Sequence, residues 1–213
     1  MRAALLVAAL LLAPAAHADE ACKMALGRGW PPATENYGSA VERLFAVGSQ
    51  PAWSFTLLPK LGEESGLLLI PAAEGRDWTL RRAVADERVH YWGPTKLELR
   101  TNQEPELHEV AIPAAVAVRF AQAWDRALSM IAPEDSVAPF SDNDTWLFVV
   151  GDRRVSGLEP TCELGELMRQ QIDLLIEASD EGDEKRLKRW RQLGESLDRM
   201  GNALDAMSKP AAQ

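Results

Sequence analysis

The chain has 213 residues, with 32 acidic against 23 basic side chains, a net charge of −9 and an apolar fraction of 46%. That charge balance argues against nucleic acid as a partner, because phosphates demand clustered Lys and Arg. The length suits one domain whose core needs no structural metal.

Residues 1–18, MRAALLVAALLLAPAAHA, set Arg2 before an apolar run from Ala3 to Leu12, with Ala16 and Ala18 flanking His17. This order predicts a secretory signal peptide cleaved after Ala18 and a periplasmic or secreted mature protein. The run is shorter than the roughly 20 apolar residues of a transmembrane helix, and no later segment approaches that length. A lipid anchor on Cys22 is the rival reading. Asp19, Glu20 and Ala21 precede that cysteine, where lipoprotein signals place aliphatic and small residues. Cleavage would remove one Arg and no acid, leaving a net charge of −10.

The arm KMALGRGWPPATENYG is rich in Gly and Pro and reads as irregular. Ser39 to Val47 carries Val41, Leu44 and Phe45 at helical spacing, which predicts a short helix before Pro51. The period then becomes two. AWSFTLLP sets Trp53, Phe55 and Leu57 against Ser54 and Thr56, and GLLLIP follows the turn-like GEESG. DWTLRRAV and KLELRT alternate in the same way, so these segments predict an antiparallel meander with one wet face. Helical spacing returns in IPAAVAVRFAQAWDRALSMIAP. There Val116, Phe120, Trp124, Ala127, Leu128 and Ile131 form one stripe, opposite Arg119, Gln122, Asp125 and Arg126. This helix is expected to cover the sheet. After SDND, TWLFVVG reads as a buried strand, followed by a tight turn at GDRR and one more short strand.

A helix capped by Thr161 is predicted to run to about Ala178, with Leu164, Leu167, Met168, Ile172 and Leu175 inward. A last helix starts near Asp183. Its seam of Trp190, Leu193, Leu197, Met200, Leu204 and Met207 alternates steps of three and four, a coiled-coil spacing held for under three heptads. Two readings stay open: packing on the domain's own helices, which is favoured, and self-association or a partner. Gly194 and Gly201 beside the seam suggest a close approach of backbones. The only plausible internal boundary is SDEGDE, giving a single α+β domain over residues 19–180 and an amphipathic helix and tail over 181–213.

Cys162 lies at the start of a predicted helix, where N–H groups and the helix dipole favour a thiolate. Glu163 and Glu166 oppose a second anion in that turn, and an exported chain with an even cysteine count is normally oxidised. The expectation is a Cys22–Cys162 disulfide, with a free functional thiol as the lesser alternative. KRLKRWR, residues 185–191, resembles an anion-binding patch, but Glu181, Glu184 and Glu195 stand four residues from Lys185, Lys188 and Arg191. A self-neutralised helix face is therefore expected.

Catalytic motifs are lacking. His90 and His108 have neither a G-x-S-x-G elbow nor an H-E-x-x-H motif around them. Asp142, Asn143 and Asp144 begin like a calcium loop, but Leu147 and Arg153 occupy the positions that need Gly and Glu. No metal or cofactor is expected. Arg81, Arg82, His90, Tyr91 and Trp92 are the candidate binding residues, because Arg and aromatic side chains dominate binding hot spots.

FAQAWDRAL, then DNDTWLFVVGDRRVSGLEP, then LGELMRQQIDLLIEAS resembles the C-terminal half of small, exported, uncharacterised proteins of proteobacteria. Those similarly run a Trp-bearing helix, a turn into an aromatic strand, a Gly–Pro segment and a closing helix. The resemblance covers about residues 112–178. It implies an exported protein of α+β fold, and no activity travels with it.

The sequence thus predicts an α+β domain, an antiparallel meander sheet covered on one face by helices, with a C-terminal helical extension. It favours a noncatalytic periplasmic protein-binding protein, of inhibitor or immunity type, with a basic protein partner. The alternative is a periplasmic hydrolase whose site is assembled from dispersed residues.

Overall fold

A computed structural model describes residues 27–73, 75–131, 142–159 and 162–208. The signal-peptide reading and Cys22 lie outside the described residues.

In chain order the elements are β1 (Gly27–Arg28), α1 (Glu35–Ala46), β2 (Trp53–Leu58), β3 (Ser65–Ile70), β4 (Trp78–Val84), β5 (His90–Trp92), β6 (Leu97–Leu99) and β7 (Glu106–Ile112). There follow α2 (Ala114–Ile131), β8 (Thr145–Val150), β9 (Arg153–Gly157), α3 (Glu163–Asp180) and α4 (Asp183–Met207). Seven strands form one sheet in the order β1-β9-β8-β2-β3-β4-β7, antiparallel at every pairing. The fold class is α+β, as the sequence predicts. Strands β2, β3 and β4 are the expected meander; α2 then carries the chain back across the sheet so that β8 joins the far side of β2.

One face of the sheet presents Trp53, Phe55, Leu67, Leu69, Leu80, Phe148, Val150 and Val155, and α2, α3 and α4 close over it. Trp53 sits edge-on to Phe120 and Trp124 of α2, at 4.9 and 5.1 Å between ring centres. Such contacts add to the roughly 1.5–3 kcal/mol that each large apolar side chain contributes by burial. Between the helices runs one buried polar chain. Trp124 Nε1 donates to Gln171 Oε1 at 2.6 Å, and Gln171 Nε2 donates to Ser196 Oγ at 3.3 Å.

Helix α4 belongs to this core. Trp190, Leu193, Leu197, Met200 and Leu204 are buried against α2 and α3, and of the predicted seam only Met207 is exposed. The seam is therefore the domain's own core, which corrects the reading of these residues as a self-association surface. The segment near residue 180 is the turn between α3 and α4, not the edge of the core. Gly194 and Gly201 likewise depart from expectation, since a Cβ at either would meet nothing within 4 Å. Arg186 holds the α3–α4 turn by donating to the carbonyls of Ala178 and Glu181, and Arg189 pairs with Glu177 and Glu181. Of the basic run, Arg186 and Arg189 are paired with acids, whereas among the described residues the predicted pairs with Lys185, Lys188 and Arg191 do not form.

The other face of the sheet is not the wet face the alternation suggested. Helix α1 and Trp30 cover it, with Tyr37, Val41, Phe45, Leu58, Leu68, Ala83, Ala85, Val89 and Leu147 forming a second core. Two glycines permit the approach: a Cβ on Gly38 would lie 2.2 Å from the Trp30 indole, and one on Gly66 would lie 2.9 Å from the Phe45 ring. The arm before α1 is also more ordered than its Gly and Pro content implied, since β1 adds to the sheet edge beside β9 and α1 begins at Glu35. KLELRT is a further correction. Its Leu97–Leu99 pairs with β5 in a separate two-stranded hairpin, and β7 takes the place beside β4. Strand β7 escaped the sequence reading because, as an edge strand, it carries polar residues on both faces.

Candidate binding site

The chemistry on the α1 face begins with Glu64, a charged residue with no exposed surface, supplied by the turn that the sequence marks only as GEESG. A buried carboxylate is tolerated when donors surround it. Here the Tyr37 hydroxyl and the Val89 and His90 backbone N–H groups all donate to it, the latter two at 2.8 and 3.3 Å. Burial, then the hydrogen bond and charge of Glu64, push the Tyr37 hydroxyl far above its ordinary range, so it remains a donor. The His90 ring stacks on Tyr37 at 4.6 Å. Burial, then the charge of Arg88, lowers the His90 pKa below its ordinary value. Arg88 itself donates to the carbonyls of Pro59, Lys60 and Gly62, fastening the β2–β3 turn to the same cluster.

This cluster anchors the β5–β6 hairpin. Its register sets Trp92 opposite Leu97 and His90 opposite Leu99, so one hairpin face carries Trp92, Leu97 and Leu99. These are 74%, 41% and 38% exposed. The other face carries Tyr91, with the Arg100 guanidinium 3.6 Å above its ring, and Glu98. Arg100 pairs with Glu87 at 2.6 Å, and Gln103 bonds the backbone of Glu87 and Arg100. The base is rigidly held and the apolar tip is bare.

The five predicted binding residues therefore do not form one site. His90, Tyr91 and Trp92 share the hairpin. Arg81 lies under the end of α1, where its guanidinium donates to the carbonyls of Phe45 and Ala46 and pairs with Glu109. Arg82 points to the opposite face and pairs with Asp180 at 2.5 Å. Neighbours along a strand alternate faces, so the pair Arg81–Arg82 was bound to be split. His108 also lies on the Arg82 side, against Glu106 and Asp180. Among the described residues neither histidine hydrogen-bonds a serine, threonine or cysteine.

The sequence reading missed Glu64 and Tyr37, which fix the hairpin, and Leu97 and Leu99, which extend its apolar face. Leu97 and Leu99 do carry a signal, but the same alternation marks a strand of the main sheet and one of a separate hairpin alike. The acidic loop ties its Asp144 carboxylate to the Lys60 N–H at 2.8 Å, as a turn leading into β8. No helix among the described residues is long and apolar enough to cross a membrane. Compared with known proteins, the chain matches no family model, no curated protein and no solved structure.

Proposed function

We propose that the protein is a noncatalytic protein-binding protein of the cell envelope, of inhibitor or immunity type, and that it docks its partner on the β5–β6 hairpin. The observation that carries this reading is a bare apolar face of Trp92, Leu97 and Leu99 on a hairpin whose base is held by a buried carboxylate. A rigid, exposed aromatic anchor flanked by aliphatic groups is the usual centre of a binding hot spot, because it loses little conformational entropy on docking. The surroundings fit a basic partner. Asp86, Glu104 and Glu106 lie on the hairpin's flanks beside Glu87 and Glu98, which Arg100 and Lys96 pair, and the chain as a whole is at −9. Export and the resemblance to exported proteobacterial proteins belong to the same reading.

The test is a pull-down from envelope and secreted-effector fractions at low and high salt, followed by calorimetry on the purified partner. Trp92→Ala and Leu97→Ala should each weaken a stoichiometric complex by tenfold or more without lowering the melting temperature. Rising salt should slow association, since screened attraction steers it. A partner indifferent to both substitutions refutes the hairpin as the docking surface. A turnover lost in His90→Ala or His108→Ala, with fold intact, would favour the hydrolase instead.

A further inference from the structure

Between α1 and the sheet is a cleft of about 340 Å³, away from the hairpin tip. Its floor follows from strand register. Arg154, Val149, Ser54, Leu68 and Arg81 stand opposite one another across β9, β8, β2, β3 and β4, making one row with a cation at each end. Thr56 lies two residues further along β2 and on the same face. Phe45, Ser49 and Gln50, from α1 and the turn after it, close the cleft from above.

Two features mark it as a place for a ligand. Ser54 and Thr56 are 9% and 3% exposed, yet among the described residues neither hydroxyl has a hydrogen-bond partner. Neither hydroxyl is fully enclosed by protein, so both open into the cleft and can meet a polar group that enters it. The second feature is charge. Glu42 is occupied by Arg154 at 2.6 Å and by Trp30 Nε1 at 2.8 Å, whereas Arg43 at the mouth has no ion pair among the described residues. With Glu42 balanced by Arg154, the lining is left with one positive charge in a chain of −9. Val47, at φ 46°, is the left-handed C-cap that ends α1 and does not line the cleft.

We infer that this cleft binds a small organic monocarboxylate with an apolar body and a second hydrogen-bonding group. The carboxylate is met by Arg43 at the mouth. The apolar body lies over Leu68, Val149 and the Phe45 ring. The second polar group reaches Ser54 and Thr56, whose hydroxyls can donate or accept. A volume near the lower end of ligand pockets restricts the occupant to a single ring or a short chain.

The experiment is an amide chemical-shift titration of the whole chain with three probes: 4-hydroxyphenylacetate, phenylacetate, and the uncharged 2-(4-hydroxyphenyl)ethanol. The first should shift Ser54, Thr56, Leu68 and Val149 saturably. Phenylacetate should bind about fivefold and the alcohol about tenfold more weakly, from the loss of one neutral and one charge-assisted hydrogen bond. Arg43→Gln should weaken both acids about tenfold and leave the alcohol unchanged. Thr56→Val should weaken only the hydroxylated probes; if it lowers the melting temperature, Ser54→Ala serves in its place. Equal affinity of alcohol and acid, shifts confined to other surfaces, or no saturable shift at millimolar probe would each overturn the inference.

Discussion

The indole of Trp30 occupies the space a side chain at position 38 would need: a Cβ on Gly38 would stand 2.2 to 2.5 Å from three of its ring atoms. Helix propensity alone says that Gly38→Ala stabilises α1 by about 1 kcal/mol. The overlap decides otherwise, because Trp30 is buried and must be expelled or displaced. We expect Gly38→Ala to cost about 2 kcal/mol net in urea unfolding. Gly194→Ala and Gly201→Ala, with open space around each, should instead stabilise by up to about 1 kcal/mol. Destabilisation by all three would mean that α4 has packing partners the geometry does not contain.

The Glu64 cluster predicts a local opening. In Glu64→Gln the amide group cannot accept at both ends, so at least one of Val89 N–H, His90 N–H and the Tyr37 hydroxyl loses its partner. A cost of about 1–3 kcal/mol is expected. Hydrogen exchange at Val89 and His90 should quicken more than in α2. Uniform quickening across the chain would place Glu64 in the global core and not at a hairpin anchor.

His90 makes stability depend on pH. Its folded pKa lies below the ordinary value near 6.5, so below that value the unfolded chain binds the proton more readily. Its contribution is therefore fully present above about pH 6.5 and is lost as pH falls toward the lowered folded value. Arg88 and Glu64 are the charged groups that bear on it. His90→Phe keeps a ring to stack on Tyr37 and removes the titration. The loss of unfolding free energy between pH 7.5 and 5.5 should be smaller in this variant than in the parent chain; an equal loss would assign the acid sensitivity elsewhere.

The α2 stripe, the buried strand TWLFVV and the α4 seam were legible because apolar patterning reports burial directly, and apart from the half-buried Val116 and Val149 and the exposed Met207 their apolar residues are buried. What periodicity cannot report is who does the burying. Ser54 and Thr56 alternate with core residues as solvent-facing groups would, yet α1 lies over them. Leu97 and Leu99 alternate as strand residues of the main sheet would, yet they lie on a separate hairpin and stay 41% and 38% exposed. The site residues were legible as types and not as a set. Arg81 and Arg82 look like one basic pair in sequence, but their guanidiniums end on opposite faces, one on α1 carbonyls and the other on Asp180. Glu64 carried no signal, since its role depends on donors from residues 37, 89 and 90.

Gln171 joins α2, α3 and α4, and its amide satisfies the Trp124 indole and Ser196. Gln171→Met fills nearly the same space but strands the Trp124 indole N–H, while Ser196 keeps its bond to Gln170 Oε1, at a cost of about 1–3 kcal/mol. Trp124→Phe alone should be costly because it empties core volume, and the double variant should cost less than the sum. That shortfall measures the indole–amide bond in a double-mutant cycle. Strict additivity would mean that the bond contributes nothing.

The final prediction concerns Cys162, which sequence reasoning placed inside a helix capped by Thr161. The structure makes Cys162 the cap itself: its backbone is extended at ψ 166°, and its Sγ accepts from the Gly165 N–H at 3.3 Å. Residue 161 lies outside the described residues, and the helix starts at Glu163. Cys162 is not a free thiol. Pairing with Cys22, the only other cysteine, remains our proposal and would close a loop of about 140 residues. In the chain-entropy model such a loop contributes up to about 5 kcal/mol. The two roles of the sulfur separate by substitution. Cys162→Ser keeps a capping acceptor and removes the bridge, so it should lower the melting temperature as much as Cys22→Ala does. The Cys22→Ala/Cys162→Ser double variant should be no worse than either single one. Cys162→Ala loses the cap as well and should fall below them by up to about 1 kcal/mol. Two titratable thiols in the native exported protein, or Cys22→Ala without effect on melting, would dismiss the bridge and leave Cys162 as a cap alone.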